Sequence, residues 1–298
     1  DVTATRSYNK KPGTHGDAGL QITIKGLKGG HSGMDIHKGL GNANKIMNRL
    51  LYLGLDYNMR ISSLEGGSLR NAIPRESTCQ LNIGRKHVAE VVTKFNALAD
   101  AIKAELKVQE PNLTINLEEI KPAKEVMGLG AQGKLIKAIY AAHNGVYTMS
   151  ASIENLVETS NNIARILVKD GKITVACLTR SSVDSAKLDL ANSLRSVFEL
   201  GGFDVEYSGA YPGWNPNPNS KILSIVKNSY IELFKEQPKV IACHAGLECG
   251  ILGQNYPEID MVSFGPTILG AHSPDERVSI SSVQKFWKLL LEILKNTN

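Results

Sequence analysis

Three stretches of this 298-residue chain combine reactive side chains with glycines that keep the backbone open. The first is Gly29-Gly-His-Ser-Gly33, directly after an alternating apolar run and before a helical one. Glycine permits tight turns and close backbone approach, so His31 could meet a ligand held there. A glycine-rich turn with a solvent-facing histidine fits the same spacing. The second is Glu65-Gly-Gly-Ser-Leu-Arg-Asn-Ala-Ile-Pro74, whose Gly66-Gly67 pair, followed by Asn71 and Pro74, also has the make-up of a β-turn. Arg180, at the end of an apolar run, is either a solvated charge or a clamp for an anion. The third is Gly265-Pro-Thr-Ile-Leu-Gly-Ala-His-Ser-Pro-Asp-Glu276, where His272 stands beside Asp275 and Glu276. Loops after strands are where α/β folds keep their sites, and a histidine near carboxylates suits a metal. One histidine does not make a zinc site, which takes three or four ligands, and neither His-Glu-x-x-His nor Cys-x-x-Cys spacing occurs. The residues alone offer parts of a site and no complete catalytic set.

The elements that must carry these clusters alternate between strands and helices. Leu20–Ile24, Cys79–Ile83 and Leu113–Leu117 alternate apolar and polar residues, which predicts strands. Asn44 to Leu51 is helical, and the clearest helix runs from Val88 to Leu106, with Val91, Phe95, Leu98, Ala99 and Ile102 on one stripe. The order returns further on. A strand-like stretch from Asn155 to Val168 holds a polar break, Lys172–Leu178 is a strand, Asp184–Leu200 a helix and Phe203–Tyr207 a strand. The expected fold is α/β. It has a two-layer domain over residues 1–209, built from a duplicated strand-strand-helix-strand unit (about 20–120 and 153–208), with helices on one face of a mixed sheet. An extra helix is expected between Ala123 and His143. The turn-rich segment Tyr211-Pro-Gly-Trp-Asn-Pro-Asn-Pro-Asn219 marks a boundary. Residues 210–298 form a further α/β portion: a helix capped by Ser220, strands at Val240–Cys243 and Met261–Phe264, and a last helix capped by Ser281 or Ser282. That portion is thin for an independent core.

Composition narrows the classes of function. The chain is 42% hydrophobic and 21% charged, as soluble globular proteins are, and its charge of 34 − 29 = +5 is scattered, with no basic run longer than two. No nucleic-acid partner is expected, because such proteins cluster basic residues on one face. No membrane partner is expected either, because charge interrupts every apolar stretch short of a span. Cys79, Cys177, Cys243 and Cys249 show no paired spacing, and Cys79 and Cys177 lie in apolar runs, which fits a reduced, cytoplasmic setting.

Taken together, the motifs resemble a known family. Gly-Leu-Lys-Gly-Gly-His-Ser-Gly33 with Asp35-Ile-His-Lys38, Glu65-Gly-Gly-Ser-Leu-Arg-Asn-Ala-Ile-Pro-Arg-Glu76, Gly209-Ala-Tyr-Pro-Gly-Trp214, His244-Ala-Gly-Leu-Glu-Cys-Gly250 and Gly270-Ala-His-Ser-Pro-Asp-Glu276 are similar to those of the aminoacyl-histidine dipeptidases. These belong to the di-zinc aminoacylase and carboxypeptidase G-like metallopeptidases. The resemblance implies hydrolysis of Xaa-His dipeptides such as carnosine by zinc-activated water, with two zinc ions per site or other divalent metals in their place. It also implies a lid domain that makes a homodimer. The duplicated unit corresponds to the lid and residues 210–298 to the C-terminal part of an incomplete zinc-peptidase catalytic domain. The family's His-x-Asp motif, bridging Asp and Glu pair are not found in their setting: His15-Gly-Asp17 leads straight into a lid strand, and Glu118-Glu119 ends one. The chain alone is accordingly expected to be inactive. A non-catalytic dimerisation or ligand-binding lid module is the alternative.

Residue by residue, the resemblance implies that His272 is a zinc ligand. It makes His31 the lid histidine that reaches across the dimer to steady the oxyanion. Asn71 and Arg180 become substrate-holding lid residues, with Arg180 matched to a carboxylate, and Gly246 a backbone contact beside substrate. His37 and His244 are expected to be structural, as buried polar groups. The strand Cys79–Ile83 and the helix after Gly41 are candidate dimer contacts.

Overall fold

Side-chain periodicity is honoured through most of the first 210 residues. The computed structural model describes residues 1–298 except 152, 215, 216, 218, 243–247, 270–275 and 298. Two compact units are present, Asp1–Ala210 and the described residues from Tyr211 onward. The first unit runs β1 (Val2–Ser7), β2 (Lys10–Pro12), β3 (Asp17–Lys25), β4 (Gly30–His31), α1 (Ala43–Leu53), β5 (Arg60–Gly66), β6 (Ala72–Ile73), β7 (Ser77–Gly84), α2 (Val88–Leu106) and β8 (Thr114–Ile120). It continues through β9 (Glu125–Met127), α3 (Leu129–Ala141), β10 (Gly145–Met149), β11 (Val157–Lys169), β12 (Lys172–Ser181), α4 (Asp184–Leu200) and β13 (Asp204–Tyr207).

One nine-stranded sheet dominates, in the order β13-β1-β12-β11-β5-β7-β3-β8, with β10 also on β11. Every pair in it is antiparallel, so the expected mixed sheet is corrected. The reason lies in the crossovers. Helix α2 carries the chain from β7 to β8 past β3, and α4 carries it from β12 to β13 past β1. Each crossover skips one strand, so the strands it joins run parallel and the strand between them antiparallel. The β11–β12 hairpin closes on Asp170 and Gly171, both at positive φ, the backbone of a tight hairpin turn. On β3, Ala18, Leu20, Ile22 and Ile24 point into the core. The four long helices touch in the order α2–α1–α3–α4 and pack on the sheet. Val91, Phe95, Ala99 and Ile102 of α2 share one continuous core with Leu190, Leu194 and Phe198 of α4.

Several expectations are revised. Strands β1, β5 and β10 are additions to the pattern reading, and the stretch expected as a helix between 123 and 143 opens with β9 before α3 begins. The polar break expected after Asn155 does not interrupt β11; Thr159, Ser160, Asn161 and Asn162 are buried in a strand that bulges between Ile163 and Arg165. The expected dimer contacts are partly engaged within the chain: β7 has no free edge, while α1 keeps Tyr52 46% exposed. β7 is paired on both sides, by β3 and β5, and α1 buries Ala43, Asn44, Ile46, Met47, Asn48, Leu50 and Leu51. His37 is exposed, so its buried structural role is withdrawn.

In the second unit, α5 (Lys221–Phe234) begins at Ser220, whose hydroxyl accepts the Leu223 N–H. A short α6 (Glu248–Asn255) and a two-stranded ribbon, β14 (Ile268–Leu269) with β15 (Arg277–Val278), precede α7 (Ile280–Asn296). The cap of α7 is Ser279 rather than Ser281 or Ser282. Val226, Leu289 and Ile293 form the buried centre of this unit. The strands expected at 240–243 and 261–264 do not form among the described residues. An apolar strand needs neighbours for its N–H and C=O groups, and neither segment has a strand to pair with there.

Candidate functional site

Strand β3 ends at Lys25, and the chain from Lys28 to Gly41 forms a loop held at both ends by one carboxylate. Glu110, buried just beyond the end of α2, accepts the Lys28 N–H at 2.7 Å and the Gly41 N–H at 2.9 Å. Inside the loop, β4 pairs with β6, setting His31 opposite Ala72. The Ser32 N–H donates to the Asn71 carbonyl at 2.7 Å. The two glycine motifs are thus joined backbone to backbone.

His31 is half-buried and its ring is fixed by its own loop. Its Nδ1 accepts the Gly33 N–H at 3.2 Å and the Met34 N–H at 3.1 Å. A ring nitrogen that accepts carries no proton, so in the neutral imidazole the hydrogen sits on Nε2, which becomes a donor. The His31 N–H in turn donates to Asp35 Oδ2 at 2.7 Å, and Asp35 Oδ1 takes Lys38 Nζ at 2.6 Å. Burial pushes the Asp35 carboxyl up, but the Lys38 ammonium and the His31 N–H outweigh it and hold the group below its ordinary value.

Arg180, 9% exposed, lies on β12 opposite Ser160 of β11. A side chain at Gly33 would meet the His31 ring at 3.2 Å and the Arg180 Cδ at 3.4 Å, so the imidazole and the arginine stem flank one glycine of the same chain. Asn71 sits on the loop between β5 and β6, half-buried. The structure therefore brings His31, Asn71 and Arg180 into one neighbourhood of the first unit. An imidazole donor, a carboxamide and a guanidinium make a set able to hold a polar ligand with a carboxylate. Gly246, His272 and His244 lie outside the described residues. His15 is exposed in the turn before β3, while Asp17 is engaged with Arg60 at 2.8 Å. Glu118 and Glu119 are exposed on β8, with Glu119 paired to Arg85 at 3.0 Å. Among the described residues no three His, Cys, Asp or Glu side chains converge as a metal site requires.

Two supporting residues escape sequence reasoning. Glu110 is a single carboxylate before a proline and gives no signal. Asn162 gives one, as a polar residue interrupting an apolar strand. The glycines at 66 and 67 prove to be spacing devices more than a turn: a Cβ on Gly67 would strike the Ala164 carbonyl oxygen, and Gly67 has φ +70°. They let the strand end meet β11 closely.

Residues 22–110 match the peptidase dimerisation domain. The chain is 40% identical over 296 residues to the cytosol non-specific dipeptidase of Escherichia coli strain K12, covering 99% of this chain and 61% of that protein. The crystal structure of aminoacylhistidine dipeptidase from Vibrio alginolyticus superposes with a TM-score of 0.89 at 40% identity, over 99% of this chain and 60% of the other. The chain therefore spans about three fifths of the length of each of these relatives. The similarity extends over 99% of this chain, to a cytosol non-specific dipeptidase in sequence and to an aminoacylhistidine dipeptidase in structure.

Proposed function

We propose that this chain is the lid and C-terminal catalytic portion of a cytoplasmic, metal-dependent dipeptidase that hydrolyses Xaa-His dipeptides and assembles as a homodimer. The observation that carries this is the convergence of His31 and Arg180 on Gly33, with Asn71 bonded to the His31 loop, in a chain 40% identical to a dipeptidase. Arg180 binds the carboxylate terminus of the substrate, Asn71 and the Gly246 backbone hold its body, and the His31 Nε2–H donates to the scissile carbonyl oxygen as negative charge develops. The resemblance assigns activation of water to two zinc ions or other divalent metals, with His272 among their ligands. Asn71 and Arg180 act in the ground state as well as the transition state, whereas the His31 donor is strengthened only as the oxyanion forms.

The sheet supports a duplicated lid of a particular kind. The order β8-β3-β7-β5 is mirrored by β13-β1-β12-β11, meeting at the β5–β11 seam, with α2 matched by α4 and α1 by α3. In this reading the counterpart of β3 is β1, at the start of the chain, and that of β5 is β11. The first copy brings His31 and the second brings Arg180. One chain then unites them, so His31 and Arg180 act together at one site and reach it across the dimer, as the resemblance implies.

The test is hydrolysis by the protein expressed from its full reading frame, with zinc, on carnosine and on dipeptides lacking histidine. Turnover of carnosine is expected; none, with the protein folded and metal-loaded, would refute the reading. Turnover by the 298-residue chain decides separately whether it is inactive alone. His31→Ala should lower kcat by about 100- to 1000-fold, the usual loss for one oxyanion donor. Arg180→Ala should act mainly on KM. A His31→Ala subunit paired with one dead at His272 should recover activity, because one site then combines an intact metal ligand with the partner's intact His31; carefully formed heterodimers with no recovery would overturn the action of His31 across the dimer.

A further inference from the structure

We infer that Asn162, on β11, is a positioning residue that holds Asn71 in the substrate site. This rests on the assignment of Asn71 made above. Asn162 is 1% exposed, and its Nδ2 donates both hydrogens to the two carbonyls that bracket Asn71: Arg70 O at 3.2 Å and Ala72 O at 2.8 Å. Carbonyl oxygens only accept, so the orientation of the carboxamide is dictated by its surroundings. Its Oδ1 accepts from Asn42 Nδ2 at 3.3 Å, and Asn42 Oδ1 caps α1 by accepting the Asn44 and Lys45 N–H groups. The relay therefore ties the loop to the helix as well as to the strand.

Asn71 is restrained through its backbone on three sides. Its own carbonyl takes the Ser32 N–H, and the carbonyls before and after it take Asn162. The Arg70 side chain adds an anchor, donating to the Cys177 carbonyl of β12 at 3.1 Å and to Thr3 of β1 at 2.7 Å. The Asn71 carboxamide itself makes no hydrogen bond among the described residues. A backbone held this firmly, with its polar side chain left over, is the arrangement of a residue kept ready for a ligand. Because the Asn71 carbonyl in turn accepts the Ser32 N–H, Asn162 couples β11, which carries Ser160 opposite Arg180, to both glycine motifs.

Asn162→Asp keeps the size of the side chain and turns its two donors into acceptors, facing two buried carbonyls. In the complete enzyme with carnosine, KM should rise tenfold or more while kcat changes less, the range expected from two lost hydrogen bonds acting on binding. In an Asn71→Ala background the same change should move KM by less than about twofold, because the residue it acts through is gone. Equal effects in both backgrounds would show a general structural role and overturn the inference. An Asn71→Ala enzyme with unaltered KM would instead refute the assignment of Asn71, a separate failure. On the 298-residue chain, amide exchange in peptides covering 68–73 should quicken while β12 stays protected; unchanged exchange also overturns the inference. If the aspartate variant does not fold, Asn162→Ala, which introduces no charge, is measured in its place with the same expected outcomes.

Discussion

Replacing Glu110 by glutamine is expected to loosen the loop that carries His31 without touching His31. The carboxylate accepts two backbone N–H groups, from Lys28 at 2.7 Å and Gly41 at 2.9 Å, and the residue is 2% exposed. A carboxylate just past the C-terminus of α2 is placed against the helix dipole, so these two donors must outweigh that repulsion. Glutamine retains one acceptor and sets an NH2 group against the other N–H. One charge-assisted bond is lost, worth about 1.5–3 kcal/mol, and a buried N–H is left unpaired, bringing the total to about 2–4 kcal/mol. Local opening of the loop to water caps the cost at the upper end. For a unit of this size, each kcal/mol shifts Tm by about 2–4 °C, so a fall of about 5–15 °C is expected. Calorimetry on the 298-residue chain gives Tm, and amide exchange over residues 28–41 reports the loop. Glu110→Asp, a methylene shorter, should lose one of the two contacts and show the same exchange signature. A Tm within about 1 °C of wild type, with unchanged exchange in both variants, would refute the clamp, since each kcal/mol is visible on this scale.

Further outcomes follow from other sites. Gly67→Ala must either twist a residue at φ +70° or push Ala164 off the seam, and should destabilise the chain by about 2–4 kcal/mol in urea unfolding, against near-neutral Gly133→Ala, where a Cβ meets nothing within 4 Å. Burial pushes the Cys79 thiol well above its ordinary value and the Cys177 thiol up to about 12, so neither should alkylate at pH 8 until the chain unfolds, as peptide mapping after iodoacetamide would reveal. The Asp35 carboxyl is held below its ordinary value of 3.8, so its support of the His31 loop is present above that pH and fades as pH falls below it; Asp35→Asn should abolish this acid-dependent loosening in exchange measurements between pH 5 and 3.

What could be read from the sequence was local, and what could not was carried by pairs of residues far apart. Alternation in Leu20–Ile24 and the stripe of α2 are written within a few residues, because side chains repeat every two positions in a strand and every 3.6 in a helix. Those elements, and the Ser220 cap, were legible. Strand β1 was not: its place between β12 and β13 depends on partners about 165 to 205 residues away, and nothing in Val2–Ser7 names them. The antiparallel sheet was hidden for the same reason, since it takes β3 and β1 to sit between strands that are consecutive in the chain. The candidate site divides along the same line. His31 and Asn71 stand in glycine-rich motifs, and glycine marks itself because close approach excludes a Cβ; the collision awaiting a side chain at Gly67 shows that this pressure comes from the seam. Glu110 and Asn162 carry no such mark, because a residue that serves another residue's backbone needs only the right polar atoms at the right distance. The buried polar run Thr159–Asn162 was nonetheless a clue in plain view. A polar stretch inside an apolar strand is costly unless something pairs with it, and here the partners are the carbonyls around Asn71 and the amide network at α1. Such a break within a strand marks the underside of a site, because satisfying it obliges another segment to lie across it.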